Sequence, residues 1–172
     1  MTALIIGGSK CGKSSFAESL FSDFSGKRFY IATMIPFGDE AHAAIERHRI
    51  NRAGKGFETI EKYTDIEEIS VPEKCGILLE CVGNLCANEM FGGENICDPT
   101  EKIINGIMHL KSRASRLVIV SNDVSCDGIS YQKTTAEYIE ILSRINRKIA
   151  EISDSVVECV FGIPLARKGA LK

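Results

Sequence analysis

The stretch "GGSKCGKSS", residues 7–15, directly follows the apolar run "TALII" at residues 2–6. Gly7, Gly12, Lys13 and Ser14 satisfy the spacing G-x-x-x-x-G-K-[ST]. Glycines let successive backbone amides turn inward around a phosphate. A helix beginning at Ser14 aims its unpaired N–H groups and positive dipole end the same way. Such a loop works only between a strand and a helix, so it fixes how the chain must begin to fold. Gly7, Gly8, Ser9, Lys10, Cys11, Gly12, Lys13, Ser14 and Ser15 are therefore the candidate triphosphate-binding residues. Lys13 is expected to reach the outer phosphates, and the Ser14 hydroxyl to coordinate Mg²⁺.

The rest of the chain repeats the alternation. "RFYIA" (28–32), "GILLEC" (76–81), "RLVIV" (116–120) and "VVECVF" (156–161) have the apolar, β-branched character of strands. Several are apolar at consecutive positions, as strands covered on both faces must be. Helices are expected from Ser14 to about Phe24, from Asp39 to Arg49 with Asp39 as cap, and from near Asn84. Another starts with Asp98 as cap, Pro99 at the first helical position and Glu101 closing a capping-box pattern. A last long helix carries Tyr138, Leu142, Ile145 and Ile149 on one stripe. Strand–helix alternation predicts one α/β domain over 1–172, a P-loop NTPase-type, mostly parallel sheet with helices on both faces.

Bulk properties exclude other classes. A length of 172 residues suits a single domain, and a formal net charge of −2 disfavours a nucleic-acid or membrane-surface binder. No apolar stretch is long enough to cross a bilayer, and the N-terminus lacks a signal-peptide pattern. The seven cysteines (11, 75, 81, 86, 97, 126 and 159) include no C-x-x-C pair, which favours reduced thiols in a cytoplasmic protein over disulfides or a metal site.

A Mg²⁺–triphosphate site also calls for a carboxylate. Glu80 closes "ILLE" and should emerge at the sheet edge near the phosphates, and Asp123, after "VIVSN", is a second candidate. The guanine-reading signature of GTPases is missing: "SNDV" (121–124) is not N-K-x-D. A small-molecule kinase is the expectation for so short a chain. On "GDEAHAAIERHRINR" (38–52), Ala41, Ala44, Ile45 and His48 share a helix face, so His48 taken alone is either a core histidine or a functional one. His42 lies on a different face and cannot pair with it around a metal. His109 is expected at the surface.

The order of these motifs resembles the bifunctional adenosylcobinamide kinase / adenosylcobinamide-phosphate guanylyltransferase family of the cobalamin pathway. "GGSKCGKS" is similar to that family's glycine loop and "YIAT" (30–33) to its second strand. "DE" (39–40), Ile45, His48 and Arg52, then Phe57, Thr59 and Glu61, follow its D-E…R-I…H…R…W-x-T-x-E order, with Phe57 in place of tryptophan. "ILLECVGNLCANEMF" (77–91), "VSNDV" (120–124) and "SRINRKIAEISDSV" (143–156) resemble its I-L-L-E-C, V-T-N-E-V and G-R-x-N-Q…A-D-E-V segments. The similarity runs almost end to end, with one small insertion near Gly54.

The resemblance implies two reactions in one domain. A terminal phosphate from ATP or GTP is transferred to the aminopropanol hydroxyl of adenosylcobinamide. GMP from GTP is then transferred to that phosphate through a histidine that carries it as a phosphoramidate. His48 is the matching residue, and imidazole suits the task because it is largely neutral near pH 7. Arg52 and Glu61 join the nucleotide-binding candidates on the same ground. Arg47 and Arg49 lie beside His48 and could offset triphosphate charge. Homotrimers are implied as well. The chain departs from the family at "SCDGISYQ" (125–132), which lacks a G-x-G-I-V-P pattern, and at Ala44 and Arg47. These departures leave open a kinase of another small alcohol with His48 structural, or a nucleotide-dependent binding module.

Overall fold

A computed structural model describes residues 1–124 and 131–170, apart from the side chains of Glu40, Ala41, Ala44, His48, Asn51 and Arg52. The strands are β1 (Thr2–Ile6), β2 (Arg28–Ala32), β3 (Phe57–Glu61), β4 (Cys75–Leu79), β5 (Ala114–Val120), β6 (Ser155–Val160) and β7 (Ile163–Lys168), of which β3 and β7 were not among the five expected apolar runs. They form one sheet in the order β3-β2-β4-β5-β1-β6-β7. Every pairing is parallel except that of β6 with β7, a hairpin in which Val160 faces Ile163.

Helices α1 (Lys13–Ser19), α2 (Gly38–Arg52), α3 (Val82–Phe91), α4 (Thr100–Arg113) and α5 (Lys133–Ile152) connect the strands. In β1, Leu4 packs into one core with Leu85 of α3, Ile103 and Ile107 of α4 and Leu142, Ile145 and Ile149 of α5. Its neighbours Ala3 and Ile5 point the other way, toward Ala17 and Phe21. Both faces of the sheet are thus covered, which is why the central strands lack polar alternation. The expected stripe on α5 is present, with Tyr138 packed at its edge.

Local expectations were met unevenly. α1 ends at Ser19 rather than near Phe24. Tighter i to i+3 turns follow, with Phe21 N–H bonded to Glu18 O and Phe24 N–H to Phe21 O, and these turns bring the two rings against Gly76 of β4. Asp39 does not cap α2: Phe37 occupies the cap position and no side chain bonds there. Asp98 Oδ1 accepts from the N–H and hydroxyl of Thr100, as a cap should, although α4 begins one residue later than expected. Glu101 does not close a capping box; its carboxylate pairs with Lys148 of α5 at 2.6 Å. His109 is half-buried, its Nε2 3.0 Å from Ile69 O. The six described thiols are free, and burial pushes Cys86 up to about 12. Among the described residues no helix is long and apolar enough to cross a membrane.

The topology singles out one edge. From β1 the chain crosses to β2 on one side, whereas from β5 it crosses to β6 on the other flank of β1. A crevice at the carboxyl end of the strands beside such a change of direction is the preferred ligand position in parallel sheets. The loop 7–12 leaves β1 there.

Candidate active site

The loop after β1 is shaped by what its glycines avoid. Gly7 has φ +150°, and a Cβ placed on it would lie 2.6 Å from Cys159 O of β6 and 3.0 Å from Cys11 Sγ. Gly12 has φ +94° and would bring a Cβ to 3.1 Å from Gly162 Cα. Lys10 at the crown is left-handed with φ 57° although it is not a glycine. Gly12 is the N-cap of α1 and offers no side-chain acceptor, and the first turn holds no acidic residue. The opening N–H groups of α1 are thus not quenched by the chain itself, the condition for attracting an anion.

Lys13 is buried at 7 % exposure. Its ammonium donates to Gly7 O at 2.9 Å and Gly8 O at 2.5 Å, so the loop's own carbonyls hold the charge inside the cradle. Lys10, Cys11, Gly12, Lys13, Ser14 and Ser15 line one depression. These loop residues, expected together from the sequence, do come together.

Two flanks clamp the loop. On one, Asp123 N–H, just past β5, donates to Gly7 O at 3.1 Å; on the other, Gly162 N–H, in the β6–β7 turn, donates to Cys11 O at 3.0 Å. Glu80 follows β4, two strands from β1 on the Asp123 side. It is buried, with its N–H bonded to Ile31 O.

Glu80 lines a small pocket with Ala32, Met34, Ile45, Glu61 and Tyr63. Glu61 ends β3 and lies in this pocket rather than in the depression around Lys13. It accepts from the Tyr63 hydroxyl at 2.9 Å. Burial, and then this bond to Glu61, raise the Tyr63 phenol, so it remains a donor. α2 roofs the pocket through Ile45 and carries position 48 one turn further on. The side chains of His48 and Arg52 lie outside the described residues.

Sequence reasoning missed the residues that hold this region together. Asn88 Nδ2 donates to Thr33 O at 2.8 Å and Tyr63 O at 2.9 Å, tying the ends of β2 and β3 to α3. The Thr33 hydroxyl donates to Glu80 O at 2.6 Å. Nothing in a lone asparagine on a helix announces such a clamp. The β6–β7 turn did leave a signal, an aromatic–glycine pair between apolar runs.

The glycines make a checkable contrast. Gly7→Ala adds both left-handed strain and a clash with a carbonyl of a neighbouring strand, and is expected to cost at least about 2 kcal/mol of unfolding free energy. A methyl group at Gly8 would meet nothing within 4 Å, and φ there is not positive. Gly8→Ala should stay within about 0.5 kcal/mol of the parent. Urea unfolding of the two variants measures the difference.

The family described as cobinamide kinase / cobinamide phosphate guanyltransferase matches residues 3–166. The chain is 30% identical to the bifunctional adenosylcobalamin biosynthesis protein CobU of Escherichia coli (strain K12), over 95% of this chain and 97% of that one. It is 29% identical to the protein of the same description from Salmonella typhimurium (strain LT2), with the same coverage. Identity to the bifunctional adenosylcobalamin biosynthesis protein CobP of Pseudomonas aeruginosa (strain PAO1) is 25%, over 98% of each chain. The match spans the glycine loop, Glu80 and α2 alike, and the chain belongs to the cobinamide kinase / cobinamide phosphate guanyltransferase family.

Proposed function

We propose that this chain phosphorylates the aminopropanol hydroxyl of adenosylcobinamide and then joins GMP to that phosphate, giving adenosylcobinamide-GDP. The observation that carries this is the cradle at residues 7–15, with its buried Lys13, in a chain matching the family over residues 3–166.

In the first step the acceptor oxygen attacks the terminal phosphorus of ATP or GTP. The bond to the bridging oxygen breaks, the nucleoside diphosphate leaves, and the hydroxyl proton passes to solvent or a carboxylate. The work of the protein is placement and charge compensation. Amides of the loop and of the first turn of α1 hold the phosphates. Lys13 exchanges the carbonyls of Gly7 and Gly8 for phosphate oxygens, at modest cost because its charge is already desolvated and in place.

Ser14 and Glu80 offer the oxygen donors that Mg²⁺ prefers. Such an ion would be held by one hydroxyl, one carboxylate, water and substrate phosphates. When bound, Mg²⁺ would neutralise charge developing on the phosphates.

In the second step the imidazole of His48 attacks the α-phosphorus of GTP and pyrophosphate leaves. A phosphate oxygen of the first product then displaces the imidazole from phosphorus, restoring His48. Arg52, Arg47 and Arg49 supply positive charge on the same helix, and Glu61, with Tyr63, lines the neighbouring pocket.

The test is adenosylcobinamide with nucleotide labelled separately at the γ- and α-phosphates. The γ label is expected on adenosylcobinamide phosphate, and the α label of GTP on the final product. Release of the γ label only as inorganic phosphate, with none on the corrinoid, rejects this acceptor.

A further inference from the structure

The β6–β7 turn holds an anomaly that the two reactions leave unexplained. Val160 pairs with Ile163, so Phe161 and Gly162 are the two central residues of the tightest kind of hairpin. Both have positive φ, 49° at Phe161 and 82° at Gly162. Such a turn favours Asn or Asp at its first position, because a bulky side chain is strained there. Phe161 gains nothing by packing to offset this: it is 94 % exposed, the most exposed of the described large apolar residues. The hairpin therefore keeps an aromatic ring in water, in an unfavourable conformation, at a place where folding asks for asparagine.

Its location supplies the reason. Gly162 N–H donates to Cys11 O of the glycine loop, and a Cβ on Gly12 would press to 3.1 Å from Gly162 Cα. The turn that carries the ring is thus held at the rim of the phosphate cradle by two backbone contacts of Gly162. The cradle has only two flanks along the sheet. The flank toward β5 and β4 carries Asp123 and Glu80, the two candidate carboxylates for a metal beside the terminal phosphate. In the phosphoryl-transfer step a nucleotide whose terminal phosphate faces that side extends its nucleoside toward β6 and β7. This pose is distinct from that of guanylyl transfer, in which the α-phosphorus of GTP faces α2.

We propose that Phe161 is the stacking platform for the purine of the donor nucleotide, a proposal resting on the assignment of residues 7–15 to phosphate binding. A ring face recognises any purine, so the contact supplies affinity for ATP and GTP alike and does not discriminate between them. Loss of an aromatic–base stack weakens binding by about tenfold or more.

The chain contains no tryptophan, so Phe161→Trp introduces a single reporter. Calorimetry with Mg²⁺ compares GTP, ATP and inorganic tripolyphosphate on the parent protein, Phe161→Asn and Phe161→Trp. Phe161→Asn suits the turn and should unfold at the same or higher urea. It is expected to lose about tenfold in affinity for both nucleotides while tripolyphosphate binds as before. Phe161→Trp should keep nucleotide affinity, and its emission should be quenched by GTP and not by tripolyphosphate. The proposal is overturned if Phe161→Asn binds GTP within about twofold of the parent. It is equally overturned if GTP and tripolyphosphate weaken together, or if sedimentation shows that the substitution changes the assembly. Failure of the parent to bind tripolyphosphate or nucleotide at all is a different result, and removes the phosphate assignment itself.

Discussion

Lys13→Met is expected to lower kcat/KM for phosphate transfer to adenosylcobinamide by at least about a thousandfold, and to cut guanylyl transfer alongside it. The ammonium is already inside the loop, bonded to the carbonyls of Gly7 and Gly8, so substrate finds the charge in position and does not have to draw it out of water. Preorganised charge of this kind acts where phosphate negative charge shifts during transfer, and its loss falls mainly on kcat. The folded protein has a stake too. Without the ammonium, Gly8 O loses its donor and Gly7 O keeps only the Asp123 N–H, which costs about 1–3 kcal/mol if no water replaces the ammonium. Urea unfolding and steady-state kinetics together separate the two effects: a fold that survives with activity gone places Lys13 at the phosphates. Lys13→Arg should not rescue, because a planar guanidinium cannot occupy a site sized for a point charge between two carbonyls. A methionine variant retaining more than about a tenth of the activity would remove Lys13 from the reaction.

The sequence announced this cradle because each of its requirements falls on a residue type that no other can replace. Gly7 and Gly12 are dictated by backbone conformation and by close approach of β6 and the β6–β7 turn, and a glycine requirement survives in the sequence as glycine. The central strands were legible for a related reason: burial on both faces leaves continuous apolar runs such as "ALII" and "ILL". The sheet edges were not. β3, "FETIE", is half polar, and β7, "IPLARK", is mostly exposed and carries Pro164, which an edge strand tolerates. The parts of the site built by long-range contact were equally silent. Asn88 closes a gap between the ends of β2 and β3 across 55 positions of chain. Glu61 joins Glu80 in one pocket only because β2, β3 and β4 stand side by side. Helix ends failed where tertiary packing overrode local signals: Phe21 and Phe24 leave α1 early to pack on Gly76, and Glu101 pairs with a neighbouring helix instead of its own N-terminus.

His48→Ala should divide the two reactions. Phosphorylation of adenosylcobinamide is expected to continue within about a few fold of the parent, since its charges come from the loop, while guanylyl transfer falls by at least about 10⁴, the scale for losing a covalent nucleophile. Incubation with GTP labelled at the α-phosphate should give the parent a protein-bound label that is stable to base and lost in acid, as a phosphoramidate is, and give the variant none. His48→Asn makes the comparison stricter, because it keeps a polar, hydrogen-bonding group without a nucleophilic nitrogen. The distinction matters because a histidine on a helix is more often structural than catalytic, and position 48 does not declare its role by spacing. Its case rests on the family match and on α2, whose Ile45, one turn earlier, lines the pocket that also holds Glu61 and Glu80. If His48→Ala unfolds at lower urea and loses both transfers in proportion, the imidazole is a core group. Guanylyl transfer would then need another nucleophile, or a direct attack by the corrinoid phosphate on GTP.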